Sequence, residues 1–128
     1  MNRFIKKWNG RVIEDDLSIT SKEFHSFANA LKNALKRELE GEGIELVKYY
    51  KGHYDISGMF EKGGKYIYFL YNVPRYGQPI DMFSGSIFGG ALYRTSPSAD
   101  SYSSGHGHNQ FTPLAELPFA VKCKFGYM

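Results

Sequence analysis

Between residues 19 and 43 the apolar positions fall on a single helical stripe. Phe24, Phe27, Ala28, Leu31, Ala34, Leu35 and Leu39 recur at three- and four-residue steps. Thr20 supplies an N-cap oxygen, and Glu23 completes a capping box. Ile19 and Phe24 stand where a hydrophobic staple sits. Gly41 and Gly43 can take the left-handed conformation that ends a helix. The spacing predicts one long N-terminal helix over 20–41.

The period then changes from 3.6 to 2. Residues 44–51 carry Leu46, Val47, Tyr49 and Tyr50. Residues 54–61 alternate Tyr54, Ile56, Gly58 and Phe60 with Asp55, Ser57, Met59 and Glu61, as a half-buried strand does. Residues 65–71 are apolar or aromatic on both faces, the mark of a central strand. The joints Gly52-His53 and Lys62-Gly63-Gly64 are short and contain glycine, which predicts an antiparallel meander over 44–72. A helix followed by a meander is an α+β pattern.

The flanks are less regular. Residues 1–16 place Arg3, Lys6, Lys7 and Arg11 before Glu14, Asp15 and Asp16. Asn9-Gly10 is a hairpin signal that sets Trp8 opposite Arg11, so the segment reads as a basic hairpin or an extended arm. Residues 73–128 read as long irregular loops, a further strand and a C-terminal segment. Pro74 and Pro79 mark a loop, 87–94 a strand bent at Gly89-Gly90, and 96–109 a polar loop. Thr112-Pro113 reads as a cap and first-turn proline for one helical turn near 113–117, which Pro118 interrupts. An extended or helical end then runs through Phe125.

At 128 residues the chain makes one domain, able to bury roughly two thirds of its unfolded surface. Ten Tyr and ten Phe favour a sheet-rich core. A net charge of +3 permits an acidic partner without identifying one. The single Cys123 excludes an internal disulfide and fits a reducing cytosol. No apolar run reaches the ~20 residues of a membrane span, and no signal-peptide pattern opens the chain. A cytoplasmic location is the expectation.

Two constellations carry chemistry. His106-Gly107-His108 can turn two imidazoles toward one structural Zn²⁺, with Cys123 and His53 as further candidate ligands beside His25, Asp81 and Asp100. Lys6, Lys7 and Arg11 with strand aromatics Tyr66 and Tyr68 are candidates for nucleic-acid contact. Residues 62–69 partly echo the aromatic strand of RNA-recognition sheets, yet their third and fourth positions depart from it. No nucleophile elbow, phosphate-binding loop or dinucleotide fingerprint is present, so the chain reads as no enzyme. A metal-dependent hydrolase using the His loop ranks last among the alternatives.

In size and in its helix-plus-meander order, the chain resembles the small anti-CRISPR proteins of phages and mobile elements that block type II effector nucleases. That resemblance implies a non-catalytic inhibitor that occupies a surface of the effector and blocks nucleic-acid loading. Being net basic, the chain departs from the acidic DNA mimics of that group. Arg75, Tyr76, Met82 and Phe83 in the aromatic loop are then the candidate protein contacts.

Overall fold

A computed structural model describes residues 1–13, 22–74, 77–87, 89–100 and 108–128. It holds helices α1 (Asn2–Trp8), α2 (Lys22–Glu40) and α3 (Leu117–Gly126) and five strands. The strands are β1 (Glu45–Lys51), β2 (Asp55–Lys62), β3 (Lys65–Asn72), β4 (Ala91–Ser96) and β5 (Gln110–Thr112). They form one antiparallel sheet in the order β1-β2-β3-β4-β5. The architecture is α+β.

The long helix is present, but it is not the N-terminal one. Its seven predicted stripe residues are all buried. The expected cap and staple at Ile19 and Thr20 lie outside the described residues. At the other end, Gly43 sits at φ +72° and Ile44 N–H donates to Leu39 O at 3.2 Å, which closes the last turn.

The N-terminal hairpin is overturned. Residues Asn2–Trp8 are helical, because Phe4 and Trp8 one turn apart both reach the core against α2. The Phe4 and Trp8 rings lie 5.5 and 5.4 Å from Phe27, and Phe27 lies 6.2 Å from Tyr71 of the sheet. Asn9-Gly10 stops this helix instead of turning a hairpin, with Gly10 at φ +84°. Asn9 then fastens the segment by accepting the Met82 N–H at 2.8 Å.

The helices share one core with Ile56, Phe60, Ile67, Phe69, Tyr71 and Ala91 of the sheet. Gly58, paired with Tyr49 and Phe69, leaves room for those two rings, whose centroids are 6.3 Å apart. A Cβ there would stand 2.6 Å from Lys48 O and from the Phe69 ring. Tyr49 also donates its hydroxyl to Ala28 O of α2 at 2.6 Å, and burial pushes that phenol far up. The sheet and the long helix are therefore locked by packing and by a hydrogen bond.

The last third differs from the sequence reading in three places. Thr112 ends β5 opposite Ala91 instead of capping a helix, so that Pro113 takes the cap position with no side-chain hydrogen bond. Gly89 and Gly90 N–H both donate to Ser86 O, so they form a turn before β4 rather than a bend within it. Pro118 does not interrupt a helix. It occupies the first turn of α3, where a missing N–H costs nothing, after a single 3₁₀ turn at Leu114–Glu116.

Candidate interaction surfaces

On the sheet face away from the helices, Lys48, Met59, Tyr68 and Arg94 stand in one cross-strand row. Met59 is fully buried there, and the Arg94 guanidinium lies 4.5 Å from the Tyr68 ring centre. Arg94 Nη1 also donates to Asn109 Oδ1 at 3.2 Å, while Lys48 pairs with Asp100. Tyr68 is thus covered by its own neighbours. Tyr66, on the adjoining row, is half-buried.

The α3 helix is apolar on two sides. Leu117, Pro118, Val121 and Phe125 face the core. Phe119, Cys123 and Tyr127, spaced by four, form a second stripe in solvent. Phe119 is 68% exposed and Tyr127 93%. Beside this stripe lies a shallow groove of about 400 Å³, lined by Tyr93, Gln110, Phe119, Cys123, Lys124 and Tyr127. Lys124 reaches Gln110 and stands 5.6 Å from the Tyr93 ring centre, and partial burial lowers its ammonium pKa. The groove therefore has aromatic walls and a cationic floor.

The aromatic loop adjoins the start of this helix. Ala115 N–H donates to Met82 O at 3.0 Å, which ties the loop to the 3₁₀ turn. Met82 is fully buried and anchors the loop from inside, so as a surface contact it is corrected to a core residue. Phe83 next to it is 61% exposed, and Ile87 is 62% exposed. Arg75 and Tyr76 lie outside the described residues.

The helical side carries a different surface. A groove of about 270 Å³ between α1 and α2 is lined by Arg3, Phe4, Lys7, Trp8, Asn33 and Arg37. Lys7 and Arg11 stand 5.4 and 5.0 Å from the Trp8 ring centre. Trp8 Nε1 is buried without an acceptor among the described residues. At one end the N-terminal ammonium pairs with Glu38 Oε1 at 2.6 Å. That hydrogen bond holds the Glu38 carboxyl below its ordinary range against an opposing cost of burial.

The candidate metal ligands are scattered. His53 is exposed in the β1–β2 turn, its ring edge-on to Tyr54 at 4.0 Å. Cys123 is exposed on α3, and His108 is exposed before β5. His106 lies outside the described residues. Among the described residues, no three His, Cys, Asp or Glu side chains come together as a metal site.

The Phe119–Cys123–Tyr127 spacing was visible in the chain, but reading Pro118 as a break concealed it. Comparison with known proteins adds no relative: no family model, curated protein or solved structure matches this chain.

Proposed function

We propose that this is a non-catalytic protein-binding molecule, and that its contact surface is the outer stripe of α3 with the neighbouring Phe83 loop. The observation that carries this reading is the second apolar stripe, Phe119–Cys123–Tyr127, beside a groove with aromatic walls. A folded chain gains nothing by holding such side chains in water. Exposed aromatics beside a polar pocket are the usual anchors of protein interfaces. Gln110 and Lys124, hydrogen-bonded to each other at the groove, are the polar groups beside these anchors.

The resemblance in size and α+β order to inhibitors of type II effector nucleases makes such a nuclease the first partner to test. On this reading the α3 stripe lies against the effector and obstructs nucleic-acid loading, without any turnover by this chain. The test titrates the protein into a guide-free and a guide-loaded effector before adding target DNA. Stoichiometric loss of cleavage, strongest when the protein precedes the guide, is the expected outcome. The Phe119→Ser/Tyr127→Ser variant should inhibit neither form. Undiminished cleavage at large molar excess would remove the nuclease as partner.

A further inference from the structure

We propose that the groove between α1 and α2 binds the phosphodiester backbone of a single-stranded nucleic acid. The first support is the distribution of charge. Residues 1–13 and 22–40, which carry α1 and the whole of α2, hold eight of the sixteen Lys and Arg and three of the thirteen Asp and Glu, a net +5. The rest of the chain carries −2. Glu14, Asp15 and Asp16 belong to that remainder and lie outside the described residues. The positive charge of the chain is thus concentrated on the segments that carry the two helices.

The second support is geometric. Arg3 and Lys7 are one turn apart on α1, about 6 Å along the axis, and Arg37 faces them from α2. Asn33 adds a side-chain amide that can donate to a phosphate oxygen. Both arginines are exposed, so their guanidinium forks are accessible from solvent. Glu38, in the neighbouring depression that shares Arg3 and Arg37, pairs with the N-terminal ammonium and also feels the charge of Arg37. Arg11 and Lys7 against Trp8 extend the positive rim past the helix end.

Shape selects the form of the ligand. The site is a shallow depression of about 270 Å³ between two helices, wide enough for the backbone of one phosphodiester strand. Reading a duplex by its major groove calls for a protruding helix or ribbon, which this surface does not present. The contacts would be to phosphate, so binding tolerates any base sequence.

The test is fluorescence anisotropy with labelled oligothymidine and oligouridine of equal length across a salt series. Two double variants remove equal charge: Arg3→Ala/Arg37→Ala at the groove, and Lys62→Ala/Lys65→Ala at the β2–β3 turn. The wild type should bind both strands, with log affinity falling by about 2 per decade of salt for three phosphate contacts. The groove variant should lower that slope by about 1.4, or 0.7 per lost contact, while the turn variant keeps it. Far-UV circular dichroism checks the fold, and Arg3→Gln/Arg37→Gln replaces the alanine pair if the helix unravels. No binding at low salt, equal loss in both variants, or preference for a duplex competitor would each overturn the proposal.

Discussion

Helices α2 and α3 share one core with the same sheet but finish their outer surfaces in opposite ways. Outside its buried stripe, α2 shows Lys22, Ser26, Asn29, Asn33, Lys36 and Arg37 to solvent, so its apolar surface is used within the fold. The α3 helix buries four residues and leaves Phe119, with Tyr127 at its C-cap, in water. On the function proposed above, the apolar surface that α3 leaves outside its own core is the part that meets another protein. The difference separates residues that hold the fold from residues free to serve another chain.

The comparison predicts where substitutions hurt. The largest loss should come from Phe27→Ala on α2, about 3–5 kcal/mol of unfolding free energy in urea titration. Phe27 joins α1, α2 and the sheet through Phe4, Trp8 and Tyr71, so no single element can collapse into the space. Gly58→Ala should follow at about 1–3 kcal/mol, since its methyl meets backbone as well as the Phe69 ring. A thermal melt within a degree of wild type would show the sheet beneath α2 to be more yielding than its packing implies.

Phe119→Ser tests the other side of the comparison. Its unfolding free energy should stay within about 0.5 kcal/mol of wild type, although a phenylalanine is lost. A cost near that of Phe27→Ala would erase the distinction between the two helices. The smallest effect belongs to the polar seam at α1. Because the Glu38 carboxyl is lowered in the folded chain, its contribution is complete above the ordinary carboxylate range and is lost as pH falls through the folded value. Glu38→Gln should flatten the acid limb of stability against pH, by less than about 1 kcal/mol, since the Glu38 carboxylate is still partly open to screening solvent.

Periodicity made much of this fold legible in the chain. The α2 stripe and the three strands of the meander emerge where the sequence places them, α2 and β2 through their period, β3 through a run apolar on both faces, and the joints through short glycine-bearing turns. Segments too short to show a period were misread. Phe4 and Trp8 offer a single helical step, and the Asn9-Gly10 dipeptide outweighed it. The three residues of β5 are held by pairing with β4, a partner no local pattern reveals. Met82 looked like a surface loop residue because only the folded chain shows that the loop turns it inward. The α3 stripe was written in the spacing of Phe119, Cys123 and Tyr127. The α1–α2 groove was not, since Arg37 joins Arg3 and Lys7 only through helix packing.

The junction at Asn9 bears on the order of assembly. Gly10 N–H donates to Ile80 O at 2.7 Å, Ile80 N–H donates to Arg11 O at 2.9 Å, and Asn9 holds Met82 N–H across 73 residues of sequence. Closing so long a loop is entropically costly before its contacts repay it, whereas the meander closes through turns of a few residues. The backbone tether of the first helix therefore belongs to the late events of folding, after the sheet has brought residue 80 within reach. Until then, the segment that begins the chain waits on one near its middle.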